Sequence, residues 1–447
     1  MKQLFGTDGI RAHAGSFPLD KNTVKTIGRS LARQCAEKLG RQPRFVTGRD
    51  TRESGEWIES AFHAGALEQG AVVESADVIT TPGVAFVTGA FDFDAGIVVS
   101  ASHNPYEDNG IKIFDPSGKK IARETESAIE ADIAGQHETI GTGDVELRTE
   151  RAEVFQQAYL DHLYKDHSGL DLSGFKIVVD CANGAASNLA PSLLKRFGAE
   201  VIAFNDQPNG RNINHDCGSM HLEHLQARVV AEKANFGVAY DGDADRALFA
   251  DENGNVVDGD GILWIMSQHL MEHGQLLNKM VVATVMSNIG LEIALAGSGI
   301  KLLRAPVGDK YVLAELLQTG AEIGGEQSGH IIFPKKSLVG DGMMTTLFVL
   351  DAVRESRLPF SKMLRGFTRY PQILVNVKVR EKQPFDNVAE IATAAASIEN
   401  ELDGHGRLLL RYSGTENLAR VMIEGKDQTA IENQANRLAA VISSSLG

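Results

Sequence analysis

The chain has 447 residues, of which 43% are hydrophobic and 23% charged, and this length predicts about three or four globular domains. Its formal net charge of −15 disfavours binding to nucleic acid or to an anionic membrane surface. Three scattered cysteines exclude a disulfide framework, and no apolar stretch reaches the roughly 20 residues of a membrane span. Because the amino-terminal stretch also lacks a signal sequence, we expect a soluble cytoplasmic protein.

Three segments of the chain repeat one order of predicted elements: strand, helix, strand, helix, strand. They begin at the strands in PRFVTGRD, FKIVVDCANG and KMVVATVMSN. This alternation predicts parallel sheets, in which ligands bind at the carboxyl ends of the strands. After a linker around Gly366, the last segment is α+β in character. We predict three similar mixed α/β domains and a smaller C-terminal α+β domain, with boundaries at 1–153, 154–257, 258–368 and 369–447.

The first polar loop, SASHNP, follows a predicted buried strand at Ile97–Val99. Ser102 and His103 lie in it, a turn is expected at Asn109–Gly110, and Lys112 falls in the next strand. Ser102 is either a phosphoryl carrier, with Lys112 and His103 as electrostatic partners, or only a turn residue. No G-x-S-x-G elbow supports an esterase. The equivalence of this loop with two other polar loops favours the functional interpretation.

The second loop, DGDADR, places Asp241, Asp243 and Asp245 at alternate positions. In extended backbone, alternate side chains share one face, so three carboxylates would converge and require a hard divalent cation. A solvated acidic turn is the simpler alternative. A calcium-binding EF-hand is rejected because Arg246 occupies the required glycine position and the flanks read as strands. Arg246 adds a cation that suits a metal and a phosphate together.

The third loop, GGEQSGH, carries Glu326, Ser328 and His330 between glycines. A carboxylate and a hydroxyl make directional hydrogen bonds to the hydroxyls of a polyol, and His330 can exchange a proton near neutral pH. A glycine-bounded polar turn without a ligand is also common. This loop therefore predicts a sugar site only in combination with the others.

The fourth loop, RYSGTEN, has the composition of a phosphate-binding loop. It combines a guanidinium fork with two hydroxyls and a glycine that lets backbone N–H groups approach an anion. An ordinary β-hairpin turn is equally compatible with it. The candidate phosphate ligands are Arg411, Ser413, Gly414, Thr415 and Arg420.

Two further stretches contain possible ligand residues. The stretch INHDCGSMHLEH brings together His215, Cys217, His221 and His224, a mixture that could bind zinc but matches no standard spacing. Arg11, in FGTDGIR, would by itself be taken for a surface arginine.

The ordered motifs SASHNP, DGDADR, GEQSGH and RYSGTEN, with FGTDGIR at the start, resemble the α-D-phosphohexomutase family over essentially the whole chain. The resemblance implies four domains around a central cleft. Gln327 in the third loop and the stretch around Cys217 are most similar to members that act on an amino-sugar phosphate. A homodimer is compatible with this interpretation.

The resemblance also implies roles for the candidate residues. Ser102 would carry a phosphoryl group, and one Mg²⁺ per chain would be held by that group and by Asp241, Asp243 and Asp245. Lys112 or His330 would be the general acid or base. The phosphoserine would be flanked by Arg11, Lys112 and Arg246; sugar hydroxyls would be bound by Glu326 and Ser328; and the non-reacting phosphate would be bound by Arg411, Ser413, Gly414, Thr415 and Arg420.

The implied reaction interconverts glucosamine 6-phosphate and glucosamine 1-phosphate through a 1,6-bisphosphate, for amino-sugar nucleotide and cell-wall precursor synthesis. The bisphosphate could also prime an unphosphorylated chain. The nearest alternative is a mutase of the same family acting on mannose or glucose phosphates. Two more distant alternatives are a non-catalytic sugar-phosphate sensor and a phosphatase that transfers the phosphoryl group to water.

Overall fold

The first predicted repeat folds into a sheet flanked by helices. The computed structural model describes residues 3–135, 144–413 and 416–447. The elements of the first region are β1 (Ile10–His13), α1 (Lys21–Leu39), β2 (Arg44–Arg49), α2 (Gly55–Glu68), β3 (Val72–Val78), α3 (Thr81–Ala90), β4 (Ala95–Val99), β5 (Asp108–Phe114) and α4 (Arg123–Ala134). The sheet order is β1-β5-β4-β2-β3, with β2, β3 and β4 parallel and β5 antiparallel to β4.

The second repeat has the same organisation. Its elements are α5 (Ala152–Asp166), β6 (Lys176–Asp180), α6 (Ala186–Arg196), β7 (Glu200–Phe204), α7 (Glu223–Ala231), β8 (Phe236–Tyr240), β9 (Ala247–Asp251) and β10 (Val256–Val257). The sheet order is β10-β9-β8-β6-β7, so that β8 and β9 take the positions of β4 and β5.

The third repeat is smaller. Its elements are α8 (Gly259–Glu272), β11 (Met280–Thr284), α9 (Ile289–Gly297), β12 (Lys301–Ala305), α10 (Asp309–Thr319), β13 (Gly324–Gly325), β14 (Ile331–Ile332) and α11 (Gly342–Ser356). The sheet order is β12-β11-β13-β14. All three sheets therefore share one four-strand order, β3-β2-β4-β5 in the first, which confirms the predicted repeat of mixed α/β domains.

The last region is an α+β sandwich of one sheet and two helices, as predicted. Its elements are β15 (Gln372–Lys378), α12 (Ala389–Leu402), β16 (Arg407–Tyr412), β17 (Leu418–Glu424) and α13 (Gln428–Leu446). The strands are antiparallel in the order β15-β17-β16. Apolar side chains of the two helices pack against this sheet.

By their contacts the residues divide into two compact units, 1–286 with 303–364 and 287–302 with 365–447. The second unit thus contains α9 as well as the C-terminal region. The four boundaries predicted from the sequence stay a prediction. Among the helices of the described residues, none is long and apolar enough to cross a membrane.

Side-chain caps mark the starts of α8 and α11. The carboxylate of Asp258 accepts a hydrogen bond from the amide of Gly261 at the start of α8 (3.2 Å). Asp341 caps α11 in the same way, accepting from the amide of Met344 (2.9 Å). Each cap satisfies one of the amide groups that a helix start leaves unpaired.

Candidate active site

Three polar loops follow the corresponding strand of each sheet in the first unit. The loop with Ser102 follows β4, the loop with Asp241 follows β8, and the loop with Glu326 follows β13. Each of the three strands runs parallel to one neighbour (β2, β6 and β11, respectively), so the loops occupy the edge at which parallel strands bind ligands. The repeat therefore positions the three candidate loops equivalently.

Ser102 lies against the acidic loop. Its Oγ donates a hydrogen bond to Oδ2 of Asp241 (2.6 Å), and the side chain is buried. The backbone of Ser102 adopts a left-handed φ of +54°, and its amide donates to Oγ of Ser100 (2.9 Å). A left-handed conformation in a residue other than glycine is uncommon and occurs often at functional sites. The fold thus directs this hydroxyl towards the carboxylates.

The turn expected at Asn109–Gly110 is instead part of β5. The chain reverses earlier, within residues 101–107, and Gly110 pairs with Arg11 of β1 while its carbonyl accepts from the amide of Ser100 (3.1 Å). Pairing on both sides overrides the local turn preference of Asn-Gly. As a result Lys112 is moved along β5 to the position opposite Val98.

The three aspartates converge, but not through extended backbone as expected. The loop is a turn in which Ala244 has φ +54° and its amide donates to the carbonyl of Asp241 (3.0 Å). One carboxylate oxygen from each of Asp241, Asp243 and Asp245 lies within 4.8 Å of the others, and all three residues are buried. The turn, rather than strand alternation, brings the carboxylates together.

Lys112 is the main counter-charge of the triad. Its Nζ lies 2.8 Å from Asp243, 3.2 Å from Asp245 and 3.2 Å from Asp8, and the side chain is buried. Burial opposes the charge, but these carboxylates raise the pKa of Lys112 well above its usual value. Burial, together with repulsion from the other two aspartates, raises the pKa of Asp241. One ammonium thus leaves the triad with an excess of negative charge.

Two oxygens of the triad have no hydrogen-bond partner. They are Oδ1 of Asp243 and Oδ1 of Asp245, and both are buried. Buried carboxylate oxygens are almost always paired, so these two oxygens are available to a ligand. A set of carboxylate and hydroxyl oxygens matches the preference of Mg²⁺. The residues present therefore fit a hard divalent cation.

His103, predicted as an electrostatic partner of Ser102, lies beside it together with Arg246. Arg246 donates from a guanidinium nitrogen to Nδ1 of His103 (3.1 Å), and the same Nδ1 lies 3.1 Å from Oγ of Ser102. Since arginine can only donate, this Nδ1 carries a lone pair. Burial and the neighbouring Arg246 lower the pKa of His103 to about 4. The ring is therefore neutral, and the positive charge next to Ser102 comes from Arg246.

His330 lies against the acidic loop rather than with the other groups of the third loop. Its Nδ1 is 3.6 Å from Oδ1 of Asp245, and its Nε2 accepts a hydrogen bond from the amide of Gly340 (3.1 Å). Burial opposes protonation, but Asp245 raises the pKa of His330 to about 9. Because Nε2 accepts from the amide of Gly340, the ring in this conformation carries one proton, on Nδ1 facing Asp245; the second proton that the raised pKa favours requires Nε2 to leave that amide.

The remaining groups of the third loop have unused polar atoms. Oγ of Ser328 and Nε2 of Gln327 are buried and have no partner, whereas Oε1 of Glu326 accepts from the amide of Gly308 (3.1 Å). The loop lies next to the acidic loop, since the amide of Ala247 donates to the carbonyl of Gly329 (3.2 Å). Orphaned donors at this position are what a polyol ligand would satisfy.

Arg11 takes part in a charged network and is not a surface arginine. Its guanidinium forms an ion pair with Asp8, which also pairs with Lys112 and, at 2.7 Å, with Lys120. Lys120 reaches on to Asp309 (2.6 Å). Burial opposes ionisation of Asp8, but the neighbouring cations hold its pKa well below its usual range. The network places Arg11 close to Lys112, and its other members, Asp8, Lys120 and Asp309, were not found from the sequence.

Arg52, which no sequence motif indicated, holds the Ser102 loop. This fully buried guanidinium pairs with Asp50 (2.8 Å) and donates to the carbonyls of Ser102 (3.0 Å), Asn104 (2.8 Å), Pro105 and Asp108 (2.9 Å). The position of Arg52 just after β2, at the same sheet edge, was the available signal.

A second missed residue, Asn214, donates from its side-chain amide to the carbonyls of Ser102 (2.8 Å) and Asn104 (3.1 Å). Asn214 comes from the stretch that was considered as a zinc site. Among the described residues, His215, Cys217, His221 and His224 do not form a group with metal-binding spacing, and His215 is largely exposed. This stretch positions the serine loop instead.

The second unit contains the predicted phosphate-binding residues. Arg411 of β16 pairs across the sheet with Arg420 of β17. Like charges opposite each other are unfavourable, and burial together with Arg420 lowers the pKa of Arg411. Lys382, missed in the sequence, donates to the carbonyl of Ser413 (2.7 Å). This concentration of cations suits an anion; Gly414 and Thr415 lie outside the described residues.

Models of one protein family match nearly the whole chain. They are phosphoglucomutase/phosphomannomutase alpha/beta/alpha domain I (residues 2–139), domain II (157–254), domain III (258–370) and the C-terminal domain (374–441). The chain belongs to this phosphoglucomutase/phosphomannomutase family.

The proteins that are similar to this chain over its whole length include phosphoglucosamine mutases. A phosphoglucosamine mutase of Solibacter usitatus is 45% identical over 447 residues, covering 100% of this chain and 99% of that protein. One from Caldicellulosiruptor saccharolyticus is 45% identical over 457 residues, with full coverage of both.

Solved structures agree in fold. A phosphoglucomutase/phosphomannomutase family protein of Burkholderia thailandensis has a TM-score of 0.79 at 22% identity and covers 100% of this chain and 99% of its own. An N-acetylphosphoglucosamine mutase of Aspergillus fumigatus, solved with GlcNAc-6P and magnesium, has a TM-score of 0.68 at 19% identity, with coverage of 99% and 96%.

Proposed function

We propose that this chain is a phosphoglucosamine mutase, which interconverts glucosamine 6-phosphate and glucosamine 1-phosphate. The observation that carries the proposal is the contact of 2.6 Å between Oγ of Ser102 and Asp241, within a buried triad of carboxylates. The choice of an amino sugar is supported by the names of relatives about 45% identical over their full length. The reaction class is that of an isomerase that moves a phosphoryl group within one substrate.

Ser102 acts in this proposal as the phosphoryl carrier. Oγ carries a phosphoryl group and gives it to the free hydroxyl of the sugar phosphate: the bond from phosphorus to Oγ breaks, a bond to the sugar oxygen forms, and the hydroxyl proton passes to the acid/base group, which returns a proton to the sugar oxygen released in the second transfer. The resulting 1,6-bisphosphate returns its other phosphoryl group to Oγ, which restores the carrier. Arg246 is held by His103 beside Oγ, and Arg11 lies beside Asp8. Both guanidinium groups offset the negative charge on the oxygens of the phosphoryl group during its transfer.

Mg²⁺ fits the triad because two buried oxygens, Oδ1 of Asp243 and Oδ1 of Asp245, accept no hydrogen bond. Asp241, Asp243 and Asp245 would hold one ion per chain together with an oxygen on Ser102. When bound, the ion would cancel part of the repulsion between the carboxylates and the transferred phosphoryl group. Lys112 balances the same carboxylates from the other side.

Between the two candidates for acid/base work, the geometry favours His330 over Lys112. Nζ of Lys112 is directed to three carboxylates, on Asp8, Asp243 and Asp245, so its donors are in use and it acts as a fixed charge. His330 has an imidazole proton on Nδ1, beside Asp245, and is the group that can release and take up a proton. Glu326 and Ser328 would bind sugar hydroxyls, and the cations of β16 and β17 would bind the distal phosphate.

The test joins mass spectrometry to an activity assay. Intact mass is measured for the purified wild type, for Ser102→Ala and for the control Ser117→Ala, in a surface turn. All three are assayed on glucosamine 6-phosphate with Mg²⁺, with and without glucosamine 1,6-bisphosphate as primer. We expect a phosphate-sized addition and mutase turnover in the wild type and in Ser117→Ala, and neither in Ser102→Ala. Normal turnover of primed Ser102→Ala would refute the carrier role.

A comparison of substrates distinguishes the proposed function from a mutase that acts on mannose or glucose phosphates. A mutase for mannose or glucose phosphates would turn these sugars over faster than glucosamine 6-phosphate under the same conditions. Release of inorganic phosphate without isomerised product would indicate a phosphatase, and ligand binding without either reaction would indicate a sensor. The proposed function requires the amino sugar to have the highest kcat/KM.

A further inference from the structure

A cluster of two histidines and a glutamate lies outside the candidate active site. His269, in the last turn of α8, and His273, which ends that helix, are four residues apart, so their rings share one face and their centroids are 4.4 Å apart. Glu355, in the last turn of α11, completes the cluster. One ligand atom from each residue lies within 4.8 Å of the other two.

The hydrogen bonds of the cluster require a cation. Nδ1 of His273 is 2.8 Å from the carbonyl oxygen of His269, which can only accept, so Nδ1 carries the proton. The other nitrogen, Nε2, faces Oε2 of Glu355 at 3.1 Å. A lone pair and a carboxylate oxygen at this distance repel unless a positive charge lies between them, either a second ring proton or a metal ion.

The same oxygen also faces the other histidine. Nδ1 of His269 lies 3.7 Å from Oε2 of Glu355, which is too long for a hydrogen bond. A second proton on His273 would offset the repulsion in the contact of that ring with Glu355 only. A metal ion would bind Glu355 and both rings. With bonds of about 2.0–2.1 Å, two ligands of a tetrahedral zinc ion lie about 3.3 Å apart, close to the two observed distances. Two imidazoles and a carboxylate suit Zn²⁺ and similar ions rather than Mg²⁺.

The surroundings also favour a cation. The cluster lies at the carboxyl ends of two helices, α8 and α11, where helix dipoles attract positive charge. It lines a surface cleft of about 720 Å³ together with Asp351 and His167. Asp351 accepts a hydrogen bond from Nδ1 of His167, and the buried Nε2 of that ring has no partner.

We propose that His269, His273 and Glu355 bind a divalent transition-metal ion of the Zn²⁺ class, at a site separate from the aspartate triad. The ion would join the ends of α8 and α11. Both helices begin at the candidate active site: the amide of Gly259 donates to the carbonyl of Gln327 (3.0 Å), and that of Gly342 to the carbonyl of Ala244 (3.0 Å). At 1.5 Å per residue, the metal site lies about 20 Å away along the helices.

Calorimetric titration with Zn²⁺ tests the site, with the full chain kept in excess Mg²⁺ so that the triad is occupied. The variants are His269→Ala, His273→Ala, their double variant and Glu355→Gln. The control is His215→Ala, which removes an exposed histidine outside the cluster. We expect about one Zn²⁺ per wild-type chain, and at least about tenfold weaker binding in each histidine variant. Zn²⁺ should also raise the melting temperature of the wild type but not of the double variant.

Two results would overturn the proposal. One is wild-type affinity for Zn²⁺ no higher than that of the double variant. The other is an equal loss of affinity in His215→Ala. Co²⁺ serves as a second probe, since a tetrahedral site with nitrogen ligands gives intense visible absorption, which should disappear in the double variant. Because all three residues lie outside the acidic loop, the variants should keep wild-type mutase turnover with Mg²⁺, which separates this test from that of the proposed function.

Discussion

Replacing Arg52 by lysine tests whether this guanidinium holds the Ser102 loop in place. The arginine forms five hydrogen bonds, one to Asp50 and four to backbone carbonyls of residues 102–108. An ammonium has three donors, so at least two bonds are lost in Arg52→Lys. At about 1.5 kcal/mol for each charge-assisted bond, the free energy of unfolding should fall by about 3 kcal/mol.

The same change should affect catalysis. If the loop shifts by about 1 Å, Oγ of Ser102 loses its alignment with Asp241, and such a misplacement costs about 10²-fold in rate. We expect kcat to fall by this factor, with KM nearly unchanged because the substrate-binding loops are intact. The measurements are urea unfolding followed by circular dichroism and steady-state kinetics per folded chain.

Arg211→Lys is the matched control. Arg211 also pairs with a carboxylate, on Glu53 (2.7 Å), but both side chains are largely exposed. Exposed ion pairs contribute about 0–1 kcal/mol, so this variant should be close to wild type in stability and in kcat. Wild-type kcat and stability in Arg52→Lys would refute the argument that this guanidinium positions the serine.

Three more predictions concern the same unit. Lys112→Met leaves the triad without its ammonium, so the free energy of unfolding without metal should fall by about 3–5 kcal/mol. Mg²⁺ should then raise the melting temperature of this variant more than that of the wild type, and an equal rise would contradict this. Gly242→Ala places a Cβ 2.6 Å from the carbonyl oxygen of Ser102, which should separate the two loops, cost about 1–3 kcal/mol and reduce kcat, as thermal melting and the mutase assay would show. Burial raises the pKa of Asp341 from 3.8 to about 6. The protonated carboxyl therefore stabilises the fold fully below pH 3.8, and this stabilisation is lost as the pH rises through 6. The total loss is about 3 kcal/mol in the free energy of unfolding. About half of that loss should fall between pH 5 and pH 8, and Asp341→Asn should lack this part of the pH dependence in urea unfolding.

Local sequence patterns were sufficient for the repeat and for the identity of the loops. Apolar runs such as that of β4 and β8 are buried on both faces, and only a strand covered by helices on both sides satisfies such a run. Because the repeats place equivalent strands at the same position of each sheet, the loops at their carboxyl ends could be listed from the sequence. The α+β character of the last region followed in the same way from its alternating strands.

The details of the site were decided by contacts between distant residues. Ser102 and Asp241 are 139 positions apart, and Lys112 and Asp243 are 131 apart, so neither contact leaves a trace in local spacing. The expected extended run at Asp241–Asp245 became a turn. The predicted turn at Asn109–Gly110 became a strand, because β1 pairs with it on one side and the amide of Ser100, just after β4, donates to Gly110 on the other.

The sequence by itself thus determined which residue types stand at the ends of the strands, since hydrophobic periodicity and polar loops are local properties. Only the tertiary structure decided how those residues act. It placed Lys112 among three carboxylates, left His103 neutral beside Arg246, and used Arg52 to hold the serine loop. The physical reason is that charge and protonation depend on burial and on neighbours a few ångströms away, and these neighbours are brought together by packing of the whole unit.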